Sequence, residues 1–183
     1  TGLEVFIGGV FLLLVFCFER RSPRSMWQSF LSYAKIAFPV YGFFFLLDRL
    51  YQFHRFGNFF NTYVHYFTIE HRLQDPTLPA KYPWETPFHV GFLGPLITPE
   101  KSIFLFDPLI ILAIVLAAWL WKRLLPEVKA YVAASFLLLL GYICLYARYT
   151  VWSGDFAWGD RYVSTAAEMA AFISVPLLLR FRK

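Results

Sequence analysis

Charged side chains are scarce in this sequence: they make up only 16% of its 183 residues, while 58% are hydrophobic. A soluble domain carries about 25% charged residues, so the composition lies outside the soluble globular range and an integral membrane protein is expected. Cysteine is scarcer still. Cys17 and Cys144 both sit inside apolar runs, where a free thiol behaves as a small hydrophobe, so no disulfide and no thiol chemistry is expected. The phosphate-binding glycine loop, the nucleophile elbow and the nucleic-acid modules are all missing, and the basic residues gather at the ends of apolar runs rather than in one stripe. Nucleic acid is therefore not an expected partner. The four histidines, His54, His65, His71 and His89, show no metal-ligand spacing. A divalent metal ion is the one cofactor the residues allow, through His71 and Asp75 with a third ligand that nothing nominates. There is no internal repeat and no low-complexity tract.

Aromatic and aliphatic residues are what the chain has in excess, with 22 phenylalanines, 11 tyrosines and 6 tryptophans. Apolar runs at about 1–18, 27–50, 103–121, 128–147 and 163–179 each approach the ~20 residues that cross a bilayer as a helix. The expected fold is an all-α, multi-spanning bundle of about five helices in a single transmembrane domain, with an external segment at 51–102. Arg20, Arg21 and Arg24 follow the first run; Lys122, Arg123 and Lys129 follow the third; Arg180, Arg182 and Lys183 close the chain. By the positive-inside rule these segments face the cytoplasm, and 51–102 and 148–162 face outward. The first residue is Thr and no polar leader precedes the first run, so the chain is expected to be the later portion of a longer protein.

Within the second run Pro39 predicts a kink, and Lys35 is expected to snorkel to the surface. Beyond it, Phe56, Phe59, Phe60, Tyr63 and Phe67 recur at helical spacing, the pattern of an amphipathic helix lying in the membrane interface. Pro76, Pro79, Pro83, Pro87, Pro95 and Pro99 then predict an ordered external loop rather than a regular helix. Its Tyr82, Trp84, Phe88, Phe92 and Leu93 provide apolar surface to bury.

The residues with chemistry to offer cluster in two places. Trp152 to Tyr162 packs Asp155, Trp158, Asp160, Arg161 and Tyr162 among Gly154 and Gly159, beside runs otherwise built for lipid. Charge held at a membrane boundary is costly, which marks such a cluster as a candidate site. Arg161, Ser164, Thr165 and Glu168 fall at i, i+3, i+4 and i+7, so a polar stripe runs roughly 10 Å along one helix face. A guanidinium suits phosphate and a carboxylate suits proton transfer, although solvated loop charges and belt aromatics account for the same residues. The second cluster, Thr98 to Pro108, opens the third run with Lys101 suited to an anion and Asp107 needing a partner in Lys101 or Arg161.

Arg55-Phe56-Gly57-Asn58 with Thr62-Tyr63, then Pro87-Phe88 through Gly91 and Gly94 to Pro99, Lys101, Phe104, Phe106 and Pro108, then Trp158-Gly159 with Arg161-Tyr162, follow in an ordered pattern. Over roughly residues 50–170 this pattern resembles bacterial multi-pass proteins of the GT-C superfamily of membrane glycosyltransferases. It departs from them at Gly154-Asp155, where a glycine pair is usual, and at Asp160, where a proline is usual. The resemblance implies a plasma-membrane enzyme that transfers a sugar from a polyprenyl-phosphate donor to an extracytoplasmic acceptor. An acidic residue in an external loop upstream of Thr1 would assist it. Lys101 and Arg161 would contact the donor phosphate, and Asp107, Asp155, Trp158, Asp160, Tyr162 and Glu168 would complete the substrate site, with lipid-linked sugar and membrane lipids as partners. Two other readings stay open. A transporter or flippase would explain Glu168, Gly8-Gly9 and the helix prolines, and a non-enzymatic scaffold would explain the aromatic external segment.

Overall fold

A computed structural model describes residues 3–20, 22–154 and 162–173, and all regular structure among them is helical. The first helix, α1 (Glu4–Glu19), ends where Arg20 turns left-handed at φ 53°. The second, α2 (Pro23–Phe56), starts with the Ser22 hydroxyl accepting the Ser25 N–H and Pro23 in the first turn, where its missing N–H costs nothing. It continues through Pro39 for 34 residues and stops at Gly57, whose φ of 67° suits a residue without a Cβ. After it come α3 (Tyr63–Gln74), α4 (Phe88–Ile97), the single turn α5 (Ile103–Phe106) and α6 (Leu109–Leu120), the last running into a 3-10 turn at Trp121–Arg123. Two more follow, α7 (Pro126–Tyr146) and α8 (Ser164–Phe172).

The centre of the packing is α7, which lies against α1, α4 and α8, while α6 also packs on α8 and α2 touches only α1 among its principal neighbours. Small residues make this close packing possible. Ala166, Ala167 and Ala170 of α8 are fully buried against Leu138, Leu139, Tyr142 and Ile143 of α7 and Ile110 of α6. A second core joins Ala113, Leu116, Ala117 and Leu120 of α6 to Val132 of α7 and to Ile173. Burial at i, i+3 and i+4 along α7 and α8 supplies the apolar stripe that holds this part together.

Two of these helices, α2 and α7, are long and apolar enough to cross a membrane. Expected spans 27–50 and 128–147 correspond to them with shifted ends. The expected span 103–121 is divided: Asp107 leaves helical geometry, and Pro108, which has no N–H to donate, restarts the chain as α6. Of the expected span 163–179, α8 covers the first part and the remainder lies outside the described residues.

The external segment departs from expectation twice. Helical aromatic spacing does not continue through 56–67, because Gly57 stops α2 and residues 57–60 fold back so that Phe53 stacks on Phe59 and Phe56 on Tyr66. The proline-rich stretch, expected to lack regular helix, contains α4. Pro87 stands before its first turn, and Pro95 sits near its end with Gly91 four residues earlier, where no Cβ adds to the crowding of the ring.

Candidate functional site

Ser102 orders the turn that carries Lys101. Its hydroxyl donates to the Leu96 carbonyl (3.0 Å) and accepts the Phe104 N–H (3.3 Å), fixing α5 to the end of α4. Lys101 lies half-buried in this turn, with its own N–H bonded to the Thr98 carbonyl at 3.0 Å. Asp107 caps α5 through its N–H to Ile103 (2.8 Å), and its carbonyl accepts the Ile110 N–H, so one residue bridges the break between α5 and α6. Its side chain lies within electrostatic reach of Glu168 on α8. The second cluster thus comes within electrostatic reach of the Glu168 end of the predicted stripe.

Glu168 and Thr165 are exposed on α8 and Ser164 is half-exposed beside them, while Ala166, Ala167 and Ala170 point into the core. Ser164, Thr165 and Glu168 of the predicted stripe thus lie on the side of α8 away from its buried alanines. Asp155, Trp158, Asp160 and Arg161 lie outside the described residues. Tyr162 is described, and it is a packing residue: its ring stacks on Tyr146 at 4.6 Å and meets Tyr149 edge-on at 5.8 Å. Trp152 lies over Gly94 of α4, and buried Gly154 takes φ 76° in the turn that follows. Gly154 thus makes a turn that a residue with a Cβ would adopt only with strain.

Sequence reasoning missed the clasp between the external segment and the chain after α7. The Thr86 N–H donates to the Arg148 carbonyl (3.2 Å) and its hydroxyl to the Tyr149 carbonyl (3.1 Å). In return the Thr150 N–H donates to the Pro83 carbonyl at 2.8 Å, and its hydroxyl lies 2.9 Å from that oxygen and 2.6 Å from Glu85 Oε1. Around this clasp Tyr149 is buried, with Trp84 5.0 Å away. Burial, followed by the nearby Tyr162, Tyr82, Tyr63 and Tyr146, pushes the Tyr149 hydroxyl up to about 12. The clasp also brings Lys81 and Arg148 to one cleft.

No family model, curated protein or solved structure matches this chain.

The proposed divalent pair is engaged locally. His71 Nδ1 meets the Phe67 carbonyl at 2.9 Å, and the Asp75 carboxylate accepts the Thr77 N–H at 2.9 Å, which with the Thr77 hydroxyl holds that carboxyl below the usual carboxylate range. Among the described residues no three His, Cys, Asp or Glu side chains gather as a metal site. What the arrangement offers chemically is two carboxylates, Asp107 and Glu168, within electrostatic reach of each other and suited to hydroxyl-bearing groups, and a separate basic cleft suited to an anion.

Proposed function

We propose that this chain belongs to a membrane glycosyltransferase of the GT-C type and contributes the contacts to a polyprenyl-phosphate-sugar donor and to its extracytoplasmic acceptor. The observation that carries the reading is the meeting of the Lys101–Asp107 segment with the start of α8: Ile103 and Val163 share one core, and Asp107 reaches Glu168. These are the segments whose order resembles that superfamily, and they are brought together from positions about sixty residues apart. In this proposal Lys101 and Arg161 hold the donor phosphate, Asp107 and Glu168 hydrogen-bond sugar or acceptor hydroxyls, and Tyr162 supports the loop from behind.

The setting is a bilayer. It is supported by α2 and α7, and by basic residues gathered at the ends of the apolar runs. The remaining apolar runs complete a bundle of about five spans in the bacterial plasma membrane, with the clasped segments outside.

The test is transfer of labelled sugar from a polyprenyl-phosphate donor by membranes containing the full protein. Arg161→Ala abolishes transfer while the protein still inserts and resists protease as the wild type does. Unchanged transfer would sink the assignment.

A further inference from the structure

Two hollows lie on one face of α7. The upper, an open cleft of about 520 Å³, is lined by Lys81, Trp84, Cys144, Leu145 and Arg148. The lower, about 120 Å³, lies where Leu3, Phe6, Ile7 and Val10 of α1 meet Ala134, Leu137, Leu138 and Gly141 of α7. The α7-side residues of the two, 134, 137, 138, 141, 144, 145 and 148, fall at i, i+3, i+4, i+7, i+10, i+11 and i+14. That spacing stacks residues 134 to 145 along one stripe of α7 roughly 16 Å long, with Arg148 just past the helix end at Tyr146.

The stripe is graded in polarity. At its upper end stand two cations, neither ion-paired among the described residues, because Glu85 is bonded to Thr150 and the Asp48–Arg49 pair lies on α2. Next comes the Trp84 indole, an amphipathic ring suited to the headgroup level. Below it the lining is wholly apolar, with Gly141 leaving room beside α1, where a Cβ would meet only Leu3 at 3.6 Å. A fully hydrophobic ligand would leave the cations unused, and a free anion would leave the lower hollow unused.

We infer that this face of α7 binds one anionic phospholipid of the bilayer, its phosphate between Lys81 and Arg148 and one acyl chain running down past Cys144 to the α1 crevice. The site uses none of the residues assigned to sugar transfer and shares with that proposal only the membrane setting. Arginine offers paired donors to a phosphate and lysine a mobile point charge, so the two make complementary contacts.

The full-length protein in nanodiscs of phosphatidylcholine containing a minor fraction of phosphatidylglycerol provides the test, by mass-spectrometric counting of lipid retained after purification. Wild-type protein enriches phosphatidylglycerol. Lys81→Ala/Arg148→Ala reduces that enrichment about tenfold or more, since each basic residue near anionic lipid contributes roughly a factor of five. Lys81→Arg/Arg148→Lys retains it, which separates lost charge from lost fold. Gly141→Phe fills the lower hollow and weakens retention of the long-chain lipid while leaving dihexanoyl phosphatidylglycerol unaffected. Enrichment unchanged in the double alanine variant overturns the inference, as does equal retention of water-soluble glycerol phosphate. Arg161→Ala leaves the enrichment intact, so failure of the transferase reading would be seen separately.

Discussion

The indole of Trp152 lies so close over Gly94 that a Cβ on residue 94 would overlap the ring. Gly91, one turn earlier in α4, is held equally close to the Ala147 backbone at the end of α7. This pair of contacts seats α4 on α7 and brings the start of the Trp152–Tyr162 loop down onto the helix that leads to Lys101.

Gly94→Ala is expected to destabilise the protein by about 1–3 kcal/mol, the usual cost of overpacking, because the ring must shift. Gly91→Ala costs more, since the obstacle is backbone and cannot rotate away. Gly42→Ala is the control: it lies within α2 with nothing within 4 Å of a new Cβ, and it gains roughly 0.5–1 kcal/mol from helix propensity. Thermal unfolding of the three solubilised variants checks the order.

Thr150→Val keeps the shape of the clasp but removes the hydroxyl that faces Pro83 and Glu85. Glu85 Oε2 is already buried without a hydrogen-bond partner, so the substitution leaves that carboxyl with neither oxygen bonded. The expected cost is about 1–3 kcal/mol, concentrated in residues 82–86, because the Thr150 N–H still holds Pro83. Hydrogen exchange at Glu85 and Thr86 should accelerate in Thr150→Val and stay near wild type in Thr150→Ser. Equal exchange in all three would mean that the side-chain bonds contribute nothing to the clasp.

Much of the helical framework is legible in the sequence, and where it is not the reasons are physical. A membrane-length apolar run at 128–147 corresponds to α7 because Pro126 marks its start and the buried stripe is continuous. The break at Asp107-Pro108 was not legible as a break, because hydropathy sums across a proline that geometry does not cross. Pro95 misled in the opposite direction, since a proline near a helix end next to glycines is tolerated where the same residue in mid-helix is not. Lys101, Asp107 and Glu168 stand out in the sequence as charges against apolar runs. The clasp does not, because it joins hydroxyls and carbonyls more than sixty residues apart, and such bonds leave no periodic trace.

The pH dependence of the outer end follows from Tyr149. Its hydroxyl ionises near 12 in the folded protein against 10.0 for an ordinary tyrosine, so the folded state holds that proton more tightly than the unfolded one. A raised pKa means that the contribution to stability is fully present below pH 10 and is lost as pH rises through 12. Tyrosinate absorbance should show a late-ionising class that is one tyrosine smaller in Tyr149→Phe, and that variant should lose less stability over the same range. A Tyr149→Phe titration superimposable on wild type would refute the assignment.

The membrane setting itself has a direct test in α2, on which no residue is buried although Phe38, Ile36 and Phe45 are 82%, 73% and 66% exposed. A helix with this much exposed apolar surface, covered only in part by α1 among the described residues, must have that surface met by lipid or by another protein. Phe38→Lys separates the two. At the centre of a lipid-embedded span a lysine costs about 2.5–3.5 kcal/mol, so the inserted fraction in a microsomal insertion assay should fall clearly when the segment 23–62, α2 with the residues that follow it, is measured alone with no partner present. Phe60→Lys, at a position 86% exposed beyond the end of α2, should insert as wild type does. If wild-type α2 failed to insert, or Phe38→Lys inserted as well as Phe60→Lys, the apolar surface of α2 would belong to a protein interface, and the outward placement of the clasp would lose its support.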